Sequence, residues 1–210
     1  KDEDWWKKCL VAAGLYITII GSFAVHGWML EIIRIASSDD EDVKLPEWDN
    51  FGKYFVDGLK LLGITFIWSL PVILLVFVLW AVVFFGAIAI PEEQSFFLPM
   101  IIFPFQMIVM LVSFPISILG VVASTLLANG HSYDQVLNPL NSWKYFKADF
   151  GNYIIAMTLY FVGNYFASMI GMMLCFIGIA FTSAIAVSLF GHFLGQAYKG
   201  AQAKLEASEV

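Results

Sequence analysis

Long apolar runs alternate along this chain with short polar stretches. Residues 9–36 are apolar except for a few positions such as Glu31 and Arg34, and Gly14, Gly21 and Gly27 interrupt them. Further apolar runs cover residues 61–90 and 96–128, and the last stretch holds enough for two more, residues 153–173 and 176–198, turning near Gly171–Gly178. A helix needs about 20 apolar residues to cross a hydrocarbon core of about 30 Å. The pattern predicts an all-α, polytopic transmembrane helix bundle of about five apolar segments, a single integral membrane domain over residues 1–210. The first segment is too long for an upright span, since a helix over residues 9–36 would reach about 42 Å. It either crosses with a tilt or dips in and returns as a re-entrant hairpin at its glycines. Pro71 lies near the start of the second run, and Pro99, Pro104 and Pro115 predict kinks in the third.

Two polar connectors join the runs, residues 45–60 and 129–152. In the first, Phe51, Tyr54, Phe55, Leu59 and Leu62 fall at helical spacing on one face, with Asn50, Lys53, Asp57 and Lys60 on the other. In the second, Trp143, Phe146 and Phe150 oppose Lys144 and Lys147. Both read as amphipathic helices lying in the membrane interface. Asp49 or Asn50 is placed to cap the first, behind Pro46. Lys53-Tyr54-Phe55 and Lys144-Tyr145-Phe146, each followed by an aspartate, hint at a weak internal repeat of residues 9–90 and 96–174. The opening KDEDWWKK is an interfacial anchor, and the closing KGAQAKLEASEV is expected to fray.

Composition agrees with the pattern. The 210 residues are 60% hydrophobic and 13% charged, against about 45–50% and about 25% for soluble domains. A net charge of −6 argues against a nucleic-acid partner; the bilayer is the expected partner, with other membrane subunits. Were the first segment a full span, Lys1, Lys7 and Lys8 would lie on one side, and Arg34, Lys44, Lys53, Lys60, Lys144, Lys147, Lys199 and Lys204 on the other. Were it a hairpin, all would share one side. Either way the excess of positive charge puts the connectors and C-terminus in the cytoplasm, as expected for a cytoplasmic (inner) membrane protein.

Small residues recur at four-residue spacing on the later segments: Gly163, Ala167 and Gly171; Ala180, Ala184 and Ser188; then Gly191 and Gly195. Such stripes let helices approach closely within lipid. Ser113, Ser117, Gly120 and Ser124 form a similar stripe.

Candidate chemistry is sparse. Glu31 and Arg34 are spaced to pair on one helix face. His26 and His192, on different segments, are the minimum for bis-histidine haem or pigment ligation, but hydrogen-bonded packing histidines are the default reading. Asp39, Asp40, Glu41 and Asp42 lack the alternation and glycine of a calcium loop. Gln106 and Asn164 are polar positions within apolar runs, suited to interhelical hydrogen bonds or a pathway. Cys9 and Cys175 read as buried apolar residues. No phosphate-binding glycine loop, nucleophile elbow or zinc spacing occurs, so no enzyme and no cofactor are expected.

Residues 45–60 carry the individual signature. Leu45, Pro46, Trp48, Asp49, Asn50, Phe51, Gly52, Phe55, Asp57, Gly58, Leu59 and Lys60 resemble the motif of a family of uncharacterised bacterial and archaeal polytopic membrane proteins, a domain of unknown function. Trp6, Lys7, Lys8, Gly27, Trp28, Glu31 and Arg34 extend the likeness over the N-terminal half. The resemblance implies a membrane bundle and no catalytic residues. The expected function is a non-catalytic accessory or scaffold subunit of a membrane assembly. A transporter or lipid-handling protein is the first alternative, and a haem or pigment carrier the second.

Overall fold

A single threonine divides the first apolar run. In the computed structural model, which describes residues 2–38, 44–89, 98–173 and 177–208, helix α1 (Trp5–Tyr16) ends at a turn and α2 (Ile19–Ser37) begins afresh. Thr18 is extended (φ −103°, ψ 139°), and its hydroxyl accepts the Gly21 amide at 3.0 Å as an N-cap. Gly21 is needed there, because a Cβ would strike the backbone of Leu15.

Residues 9–36 therefore form no single helix. A continuous one would hold Lys8 and Trp28 about 30 Å apart. Instead Lys8 Nζ donates to the Leu45 carbonyl (2.7 Å) and Trp28 Nε1 to the neighbouring Pro46 carbonyl (2.9 Å). The segment folds back, and the break falls at Ile17–Thr18, while Gly14, Gly21 and Gly27 are helical.

After α2 the described chain resumes as an extended stretch, residues 44–47, and a 3-10 turn, Trp48–Asn50. Then come α3 (Phe51–Ala89), α4 (Leu98–Ala128), the short α5 (Tyr133–Leu137) and α6 (Pro139–Ala148), α7 (Phe150–Met173) and α8 (Ile177–Ser208). Five helical stretches are long and apolar enough to cross a membrane: Ile19–Ser37, Trp48–Gly86, Ile102–Ala128, Phe150–Met172 and Gly178–Ser208. The fold is an all-α bundle, with no strand among the described residues. The acidic residues 39–42, the turn at 91–95 and Cys175 lie outside the described residues.

α2 and α8 make the centre. Over half of the α2 span (56%) is buried inside the bundle, against 6% of the α3 span. The two central helices run parallel: Gly191 meets Met29 and Ile32, and Gly195 meets Ile33 and Ala36. α7 returns antiparallel to α8, from Asp149, paired with Lys204, through Tyr160 stacked on Phe190 (4.1 Å), to Gly171 against Ile179. The core around Trp28, Ile33, Val122 and Leu194 joins α2, α4 and α8.

Two expectations change. The first connector is not a separate interfacial helix, because α3 runs unbroken from Phe51 through Pro71 to Ala89. Its aromatic face is also divided: Phe51, Leu59 and Leu62 are exposed, while Tyr54 is buried. The C-terminal stretch stays helical to Ser208, because Ala201 is buried and Lys204 holds the buried carboxylate of Asp149. Pro104 and Pro115 lie inside α4, which is helical from Leu98 to Ala128.

Candidate functional site

Two features set this bundle apart from a plain stack of helices: a clasp at the charged end, and a cavity beside it.

The clasp is built by the signature stretch. Trp48 stacks on Trp28 with centroids 5.1 Å apart and planes at 20°, and Tyr54 meets Trp48 edge-on at 5.7 Å. Each polar tip finds a backbone carbonyl: Trp28 on Pro46, Trp48 on Lys8 (3.0 Å), and Tyr54 on Glu47 (2.8 Å). Buried indole and phenol groups need such partners. Lys8, itself buried, spans the clasp, with Asp2 at 3.1 Å and Glu47 at 2.8 Å. Burial disfavours its charge, but these carboxylates outweigh that and hold its ammonium pKa above the ordinary value. For Asp2, burial likewise opposes ionisation, yet Lys8 and the Leu45 amide hold its pKa below the usual carboxylate value.

Beneath the clasp α3 crosses α2 at two glycines. A Cβ on Gly27 would strike the Tyr54 carbonyl, and one on Gly58 the Phe23 carbonyl. Only glycine permits so close an approach. A charge cluster ties this crossing to the second connector. Glu31 takes both Arg34 and Lys53 (2.7 Å from Lys53), and Arg34 Nε donates to the Ala128 carbonyl (2.8 Å) at the C-terminus of α4, where a cation is favoured. Ser37 reaches Asn129 at 2.7 Å. Lys60 pairs with Asp57 at 2.9 Å.

From the crossing α3 leans away to meet α4, where Trp68 passes Gly120. The divergence leaves a cavity of about 780 Å³ between α2, α3, α4, α7 and α8. His26, one residue from Gly27, and Leu61, three from Gly58, lie in its wall. Met29, Phe114, Met157 and Phe190 give it an apolar surface, and Thr65, Ser69, Ser113, Ser117, Ser124 and Thr158 add hydroxyls. No Asp, Glu, Lys or Arg is among the residues that line it. The serine stripe of α4 thus lines space rather than receiving another helix. A smaller cavity, about 390 Å³, has Tyr16, Asn164 and Ser183 in its wall.

The other singled-out residues divide. Gly171, Gly191 and Gly195 sit at helix contacts, and the Ala167 carbonyl accepts from Thr182 at 3.0 Å. Gly163 is a correction: it faces open space, with no helix against it, so the α7 stripe packs only in its later part. His26 and His192 are given different partners. His26 Nδ1 lies 2.7 Å from the Ser22 carbonyl and its ring meets Tyr16 edge-on, while His192 Nε2 lies 2.9 Å from Gln196 of its own helix. Among the described residues no three His, Cys, Asp or Glu gather as a metal site. Asp49 and Gly52 are exposed, and nothing in the structure explains Gly52. Phe55 packs edge-on against Phe23. Gln106 is exposed on α4, and Cys9 is fully buried.

The sequence reading missed the pairing of Gly27 with Gly58, the stacking of Trp28 on Trp48, and the cavity. Gly27 and Trp28 signal only likeness in sequence, since nothing local reveals a partner 31 and 20 positions along the chain.

The model of a family described as a protein of unknown function, DUF4013, matches residues 10–176. The chain belongs to the DUF4013 family. No curated protein and no solved structure matches it. The matched region of this DUF4013 protein takes in most of α1, the aromatic part of the clasp, the glycine crossing and all of α4; Asp2 and Lys8 precede it, and it stops short of α8, which completes the core.

Proposed function

We propose that this protein is a non-catalytic, lipid-handling membrane protein that holds an apolar, lipid-sized molecule inside its helix bundle. The observation behind this reading is the cavity of about 780 Å³, to which all five candidate membrane spans contribute wall residues. Its size falls within the range of about 300–1,000 Å³ typical of ligand sites. The scaffold-subunit reading rests on sparse chemistry and on small-residue faces, and since Gly171, Gly191 and Gly195 are taken up by contacts within the chain it takes second place. A haem or pigment held by His26 and His192 has no support from their separate partners.

The test is extraction and mass spectrometry of what the purified protein retains in mild detergent. Wild type should carry an apolar molecule near one per chain, and Ser117→Phe, which fills the cavity, should lose it while melting at a similar temperature. Extracts matching bulk lipid in both proteins would sink the reading.

We also place the connectors and C-terminus on the cytoplasmic side of a bacterial or archaeal membrane. The hairpin supports this, because every described lysine and arginine lies at the clasp end of the bundle, which the positive-inside rule assigns to the cytoplasm. Reporter fusions at residue 140 and after residue 208 should both report cytoplasm; an external signal from either overturns the orientation.

A further inference from the structure

The serines and His26 of the cavity lining offer acceptors, while Trp68, which also lines it, keeps a buried Nε1–H donor without a partner among the described residues; a guest hydroxyl can serve both. Ser69 donates its hydroxyl hydrogen to the Phe66 carbonyl (2.8 Å), Ser113 to Met110 (3.1 Å), Ser117 to Phe114 (2.8 Å) and Ser124 to Val121 (2.6 Å). A hydroxyl has one hydrogen, so each of these serines keeps only lone pairs for a guest. His26 follows the same logic. Its Nδ1 faces the Ser22 carbonyl, which can only accept, so Nδ1 carries a hydrogen, and in the neutral form of the ring Nε2 is left as an acceptor. Thr65 and Thr158 can act either way. No cationic side chain lines the space to meet an anion.

An alkyl chain gains little by leaving lipid for this cavity, because lipid is as apolar as the walls. Selection must then come from the polar contact. An anionic headgroup would enter without a cation, a costly state at membrane depth. A hydroxyl meets the acceptors directly.

Resting on the reading of the cavity as a binding site, we propose that its occupant is a neutral, hydroxyl-bearing lipid, a long-chain alcohol in chemical class, whose O–H donates to the serine oxygens of α4. Ser113 and Ser117 are the receiving positions, one turn apart on one helix face.

The experiment compares saturable binding of hexadecanol, palmitate and hexadecane to the full chain in nanodiscs at neutral pH. Hexadecanol should bind about three- to fifteenfold tighter than hexadecane, the worth of one intramembrane hydrogen bond, and tighter than palmitate. The double variant Ser113→Ala, Ser117→Ala keeps good helix formers at both positions. It should lose that preference while hexadecane binding is unchanged. Equal binding of all three, or a preference for palmitate, overturns the alcohol assignment and leaves the cavity a binding site. No saturable binding of any probe overturns the cavity reading itself.

Discussion

Gly27 and Gly58 face each other's helices so closely that one methyl group on either would overlap the opposite backbone. The obstacle is main chain rather than a side chain that can swing away, so Gly58→Ala should force α2 and α3 apart. Overpacking of this kind costs about 1–3 kcal/mol. Thermal melting in detergent should show a clear loss for Gly27→Ala and Gly58→Ala. Gly163→Ala, with open space around it, should melt at or above wild type, since alanine is the better helix former by about 1 kcal/mol. A Gly58→Ala protein as stable as wild type would refute the crossing.

The stacked pair Trp28 and Trp48 should behave as one unit. Trp28→Leu removes a ring contact and the bond to Pro46; Trp48→Leu removes the same ring contact and the bond to Lys8. Stacked aromatic pairs couple by about 0.5–1.5 kcal/mol beyond their burial. A double-mutant cycle on unfolding free energy should recover coupling of that order, and additive effects would separate the rings.

The clasp should open at both extremes of pH. The pKa of Asp2 is held below its ordinary 3.8, so its contribution is present above that value and disappears as pH falls through the lowered one. Lys8 is held above its ordinary 10.5, so its contribution is present below that value and disappears as pH rises through the raised one. Proteolysis of the 44–47 stretch, or tryptophan emission from Trp28 and Trp48, should stay flat between these limits and change beyond them. A transition near neutral pH would contradict the assignment.

At the far end of the chain, Asp149→Ala should loosen the last two turns of α8, where Lys204 is its partner and Gly200 lies against its carboxylate. Hydrogen exchange over residues 200–208 should accelerate in that variant and leave residues 184–195 unchanged. Unaltered exchange at 200–208 would mean that the buried face of Ala201 holds this helix end alone.

The all-α class and five apolar segments were legible because lipid demands long unbroken apolar runs, and such runs are visible one residue at a time. The connectors were harder. Phe51, Tyr54 and Phe55 have one periodicity, yet Tyr54 turns into the clasp and Phe51 outward. Periodicity reports a face, and the neighbour arriving from α2 decides which part of it is covered. The same limit hid the cavity. Ser113, Ser117 and Gly120 satisfy the rule for a tight helix contact, but α3 packs on α4 nearer the clasp, where Ile64 meets Ala123 and Leu126, and those three residues line the cavity instead. Gly191 and Gly195 obey the same rule and do receive α2. Spacing alone does not tell these two stripes apart.

The central pairing of α2 with α8 has a consequence for biogenesis. Lys199 reaches the Ser38 carbonyl across 161 residues of sequence. At a synthesis rate of about 5–20 residues per second, α8 emerges roughly 8 to 32 seconds after α2. Throughout that interval the face of α2 formed by Met29, Ile32, Ile33 and Ala36 has no glycine-bearing helix to receive it. Lipid, as apolar as that face, is its cover until then, and α8 must displace it on arrival.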